Sequence, residues 1–134
     1  MRMWLGLGVA ALAVVLCCGG GTLALIGLGI SATQAINEQA RAVVGDYFDA
    51  LRRDDFAEAY DLLCTDLQRR ESPREFQRRQ TAEPEITAVQ IGTVSIADEL
   101  VVPVDVTYVG GRQDNLHVRL EQESDGGLSI CGVS

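Results

Sequence analysis

From Met3 to Asn37 the chain carries no charged side chain, and Met3 to Ile30 is built almost wholly of Leu, Ala, Val, Ile and Gly. A run of this kind belongs either in lipid or in a secretion signal. A hydrocarbon core about 30 Å thick takes roughly 20 apolar residues in helical form. Met3 to Ile30 supplies 28, with Trp4 at the edge where an interfacial ring sits. Secretory signals use a shorter apolar core, roughly 7 to 15 residues. A retained single-pass transmembrane helix is therefore favoured over cleavage after Thr33-Gln34-Ala35. Arg2 and the α-amino group precede the run and Glu38 follows it, which orients the amino terminus inside and the remainder outside the plasma membrane. Cys17 and Cys18 lie within the run and lack a preceding small residue suited to lipidation, so they read as unpaired membrane thiols.

Residues 1–36 thus form an anchor and juxtamembrane segment, and 37–134 one extracytoplasmic domain. About 97 residues beyond Asn37 suffice for a single core and not for two. The whole chain has a formal charge of -8, so with Arg2 set aside the remainder stands near -9. Such a surface repels phosphate backbones, which argues against nucleic acid as a partner. All eleven basic residues are Arg, a usage that fits the coding bias of a GC-rich bacterium. Their placement is uneven: from Thr81 to Ser134 only Arg112 and Arg119 face nine acids. Arg69, Arg70, Arg74, Arg78 and Arg79 cluster earlier. They read as an ordinary solvated helix face, with Glu75 and Arg79 at i, i+4, or as a basic patch for anionic headgroups or cell-surface polymers.

Ile36, Ala40, Val43, Val44, Tyr47, Phe48 and Leu51 recur at intervals of three and four, which predicts a first helix to about Arg53. Asp54 and Asp55 end it, and Glu58 stands in capping-box position after Asp55. A second helix follows with Phe56, Ala59, Tyr60, Leu63 and Leu67 on its buried side. Ser72-Pro73-Arg74-Glu75 is a strong start signal for a third, which carries Phe76. After Pro84 the period becomes two. Ile86 to Ile96, Leu100 to Val109, Asn115 to Glu123 and Leu128 to Val133 read as four strands joined by short connections, hence an antiparallel meander. Pro103 inside the second strand predicts a bulge or an edge. The fold class is α+β, three helices on one face of a four-strand antiparallel sheet, behind one amino-terminal transmembrane helix.

Cys64 closes the apolar stripe of the second helix and Cys131 lies in the last strand. Packing that helix on the sheet brings them together, and outside the cytoplasm such a pair oxidises to a disulfide. A redox or metal pair is the alternative. It lacks Cys-x-x-Cys spacing, and His117 is the only histidine.

The string from Val43 through Asp46-Tyr47-Phe48 and Arg52-Arg53-Asp54-Asp55-Phe56 to Cys64 resembles the helical opening of the nuclear transport factor 2-like superfamily, which includes ketosteroid isomerase and polyketide cyclases. More narrowly, it is similar to actinobacterial membrane-anchored members in which a cysteine closes the second helix and an ending like Asp125-Gly126-Gly127-Leu128-Ser129-Ile130-Cys131-Gly132 completes the last strand. The resemblance covers nearly all of Asn37 to Ser134. It implies a cone-shaped half-barrel closed around a pocket, and a homodimer formed through the sheet, but no single activity.

Catalysis on such a scaffold needs an acid or base in the pocket. Asp105 is the one candidate base, and Tyr47, Tyr60 and Tyr108 are candidate pocket hydroxyls that fit core stripes equally well. Alternation puts His117 on the solvated face of its strand. No catalytic set, metal cluster or cofactor motif is legible. The expectation is a noncatalytic anchored domain that binds a small ligand, a lipid or an envelope protein. A small isomerase- or cyclase-like enzyme using a pocket carboxylate is the alternative.

Overall fold

The computed structural model describes residues 32–134. The apolar run Met3 to Ile30, with Cys17 and Cys18, lies outside them. Among the described residues no helix is long and apolar enough to cross a membrane. The chain divides after Ile36, and Asn37–Ser134 forms one unit. That unit is α+β, with helices and an antiparallel sheet.

The first helix, α1 (32–52), buries Ala40, Val44, Tyr47, Phe48 and Ala50 and half-buries Val43 and Leu51. The helical stripe is thus realised from Ala40 onward, while Ile36 stays 42% exposed. Its carboxy terminus is closed by two residues. Asp54 takes the left-handed conformation (φ 57°), its amide donates to the Leu51 carbonyl, and the Asp55 amide donates to the Ala50 carbonyl. This is the Schellman geometry that glycine usually serves; an aspartate tolerates it better than most residues. Asp55 then caps the next helix, α2 (Phe56–Asp61), by accepting from the Glu58 amide at 3.1 Å.

The expected second helix through Leu67 is corrected to two short ones. After α2 the backbone straightens, and Leu63 bridges in parallel to Ile130. The Cys64 amide donates to the Ile130 carbonyl at 2.8 Å, and the Ile130 amide to the Leu62 carbonyl at 2.9 Å. Helix α3 (Thr65–Arg70) begins only beyond it. Local periodicity carries no trace of this break, because the competing hydrogen-bond partner, Ile130, is 66 to 68 positions away in the chain. Helix α4 (Pro73–Ala82) starts as its sequence reads, with Pro73 in the first turn and a reciprocal capping box between Ser72 and Glu75.

Five strands follow rather than four: β1 (Ile86–Ile91), β2 (Ser95–Ile96), β3 (Leu100–Tyr108), β4 (Gln113–Gln122) and β5 (Leu128–Val133). They pair in the order β1-β3-β4-β5, with β2 beside β3. The expected first strand is cut in two at Gly92, opposite Pro103 of β3. Pro103 pairs with His117 of β4 on one side, but on the other it offers only its carbonyl, which accepts from the Gly92 amide at 2.8 Å. Lacking an N–H, Pro103 cannot complete a ladder there. Gly92 is also the residue that fits the gap, since a Cβ would stand 2.9 Å from the Pro103 ring. Val102, Val104, Val106, Val118 and Ile130 turn to the helices and are fully buried with Val44 and Phe76. Asp105, Asn115, His117, Arg119 and Glu121 point away on the open face.

Cys64 and Cys131 are joined as a disulfide, Cα to Cα 5.2 Å, fastening the α2–α3 junction to β5.

Candidate functional site

A cleft of about 700 Å³ opens where the carboxy-terminal ends of α1 and α4 face the start of β1, the end of β3 and the start of β4. Its walls follow from the two periodicities. The last turns of α1 supply Tyr47, Phe48 and Leu51, and the strands supply Ile86, Tyr108 and Leu116, with Phe56 and Val133 at its sides. Tyr47 and Phe48 meet edge to face at 5.2 Å.

Tyr47 is the distinctive group. The residue is only 3% exposed, and its hydroxyl makes no hydrogen bond with any described residue. No buried side-chain oxygen among the described residues is sealed without a partner, so this hydroxyl reaches the open space of the cleft. A buried tyrosine ordinarily finds an acceptor. Burial pushes its pKa up to about 12, against the pull of the nearby Arg79 charge. It is therefore a hydrogen-bond donor at every physiological pH.

Arg79 stands beside it. Its Nε and Nη2 each donate to Glu71 at 2.8 Å, and its guanidinium lies 5.4 Å from the centre of the Phe76 ring. The hydrogen bonds from Arg79 hold the Glu71 carboxyl below the usual glutamate range, and the same contact raises Arg79. Nη1 of Arg79 is not used in this pair. Across the cleft Arg112 covers the Tyr108 ring at 4.6 Å and pairs with Asp114 at 3.0 Å. Burial, with the Asp114 charge second, raises the Tyr108 pKa. Asp54, Glu83 and Glu85 lie exposed at the mouth.

Of the four residues expected to share a pocket, Tyr47 and Tyr108 do and the other two do not. Tyr60 is turned into the helical layer, where its hydroxyl donates to the carbonyls of Gln68 (3.0 Å) and Glu71 (2.8 Å). It ties α2 to the α3–α4 junction. Asp105 is exposed on the open face of the sheet, accepting from Asn115 Nδ2 at 2.6 Å. Even strand alternation dictates this, since Val104 and Val106 on either side are the buried ones. His117 is exposed on that face too. The five clustered arginines also separate: Arg79 serves the cleft, Arg69 lies 3.8 Å from Asp66, and Arg74 and Arg78 share the outer side of α4. The sequence reading did not mark Arg112, Asp114, Glu83 or Glu85 for the cleft. They sit in or beside connections, where no period says which way a side chain points.

The carboxylate of Glu121 comes within 4.8 Å of both cysteine sulfurs. With the sulfurs bonded to each other they offer no thiolate, so this cluster has no metal-binding chemistry in the oxidised protein.

The Tyr47 shift has a measurable consequence. Its folded pKa lies above the ordinary tyrosine value of 10.0, so between pH 10 and 12 the unfolded chain loses this proton while the folded one keeps it. Stability conferred by neutral Tyr47 is complete below pH 10 and is lost as pH rises through its folded value. Ultraviolet titration of tyrosinate should show a late step near pH 12. Tyr47→Phe should remove that step and flatten the alkaline loss of stability. A Tyr47→Phe titration that still contains the late step would show the assignment to be wrong.

No family model matches this chain, and no curated protein matches it.

Proposed function

We propose that Asn37–Ser134 is a noncatalytic binding module of the nuclear transport factor 2-like kind, a cone-shaped half-barrel held outside the cytoplasm by the apolar run before it. Its cleft takes a small amphipathic ligand, with an apolar body against Phe48, Leu51, Ile86 and Leu116 and an acceptor oxygen on the Tyr47 hydroxyl. The observation that carries this reading is that hydroxyl: a donor on a buried ring that lines the cleft, without a hydrogen-bond partner among the described residues. The ligand's acceptor group is neutral, because the cleft's two arginines, Arg79 and Arg112, are already paired with Glu71 and Asp114, while Asp54, Glu83 and Glu85 add negative charge at its mouth. The disulfide suits an oxidising compartment.

The cyclase-like alternative asks for a desolvated carboxylate near the ligand. The cleft's carboxylates are exposed at its mouth or, as in Asp114, tied to arginine, and Asp105 faces away. Native mass spectrometry of the full chain, extracted from its own membrane in mild detergent, tests the binding reading. A bound small molecule or lipid is expected, with occupancy falling roughly five- to ten-fold in Tyr47→Phe, the value of one hydrogen bond. A bare mass, or a bound species that Tyr47→Phe and the cleft-filling Leu51→Trp both retain, would overturn it.

A further inference from the structure

We propose that the outward face of α4, with the end of α3, docks on the anionic headgroups of the lipid surface that anchors the chain. This rests on the lipid-anchored reading of the amino-terminal run given above. In a chain with 19 acidic and 11 basic residues, most of the described arginines have a carboxylate within 4.0 Å. Arg52, Arg53, Arg69, Arg79, Arg112 and Arg119 each have one. Arg70, Arg74 and Arg78 have none within 4.0 Å among the described residues, and all three are exposed within one short stretch. Arg41 on α1 is the remaining described arginine without one.

The carboxylates of that stretch are already engaged. Asp66 lies by Arg69, Glu71 is held by Arg79, and Glu75 closes the cap at Ser72, with the charge of Arg78 acting on it at longer range. Arg74 and Arg78 each stand two positions from the buried Phe76, which puts them together on the far side of the helix. The free guanidinium groups match phosphate oxygens in charge and in fork geometry.

The rest of the unit is acidic, and an anionic surface repels it at long range. Contact by this face therefore acts only within about 8 Å, one screening length. Each arginine at an anionic leaflet contributes roughly a five-fold gain in partition, so three give roughly a hundred-fold. That is weak for a free domain and ample for one tethered to the same surface, where the effective concentration is on the order of millimolar.

The test uses the full chain in lipid nanodiscs, either pure phosphatidylcholine or a mixture with phosphatidylglycerol, with amide hydrogen exchange read over residues 65–82. Exchange there should slow roughly ten-fold in the anionic discs, and the slowing should vanish at high salt and in a variant carrying Arg70→Gln, Arg74→Gln and Arg78→Gln. Equal exchange in the two lipids, or a slowing that the variant keeps, would overturn the proposal. So would the same slowing in neutral discs with inorganic phosphate added, which would mark a free-phosphate site. Slowing confined to discs holding two chains would instead mark a contact between copies. A chain that elutes apart from the discs removes the anchored reading, and the docking surface falls with it.

Discussion

Breaking the Cys64–Cys131 bond should lower the stability of Asn37–Ser134 by about 4 kcal/mol, the chain-entropy value for a loop of this length. The bond spans 67 positions and crosses from the helical layer to β5. Two backbone hydrogen bonds between Leu62–Cys64 and Ile130 run beside it, and they remain when the sulfurs part. The native geometry is therefore expected to survive while the unfolded chain gains freedom. For a domain whose whole stability is roughly 5–15 kcal/mol, this is a large fraction. Thermal unfolding with Cys64→Ala and Cys131→Ala together should show a midpoint lower by roughly 15–30 °C. The wild type in reductant should converge on the same value. Both cysteines are buried, 3% and 6% exposed, so reduction in the native state should be slow and should track unfolding. A midpoint that moves by less than about 5 °C would show that the covalent link is not what holds the layers together.

Phe76→Ala should cost about 4 kcal/mol, within the usual range for a buried phenylalanine. The ring is completely buried and is the only buried residue of α4, whose other side chains are mostly polar. It meets the Tyr60 ring at 5.7 Å and supports the Arg79 guanidinium from below. No second apolar residue of α4 shares the load, so the helix should loosen as a unit. Hydrogen exchange should then speed up across Pro73–Ala82 well before the sheet is affected. The cleft should suffer with it, because Arg79 loses its platform. Denaturant unfolding that shows less than about 1.5 kcal/mol of destabilisation would mean that the site collapses around the truncated side chain.

The α1 stripe from Ala40 to Leu51, the cap at Ser72-Pro73-Arg74-Glu75 and the strand alternation around Val102, Val104 and Val106 were legible because each depends on neighbours within a turn or a pleat. The disulfide was legible for a related reason: once a helix ending in Cys64 packs on a sheet ending in Cys131, few other partners exist. The interruption at Leu62–Cys64 was not, nor was the division of the first strand at Gly92. In both cases a backbone hydrogen bond to a distant residue, Ile130 or Pro103, overrode the local pattern. The candidate site divides in the same way. Periodicity placed Tyr47 and Tyr108 on inward faces, but it treated Tyr60 as their equal.

By itself the sequence determined what each segment could bury: the charge-free run before Asn37, the helical stripes, the alternating strands and the one pair of cysteines beyond that run. Tertiary structure alone decided that the Tyr47 hydroxyl is left facing open space, that Tyr60 spends its own on two carbonyls, and that Arg79 leaves its neighbours for Glu71. Burial follows from the period of a single segment. A side chain's hydrogen-bond partner depends on which other segments arrive within about 3 Å of it, and nothing local to the chain specifies that.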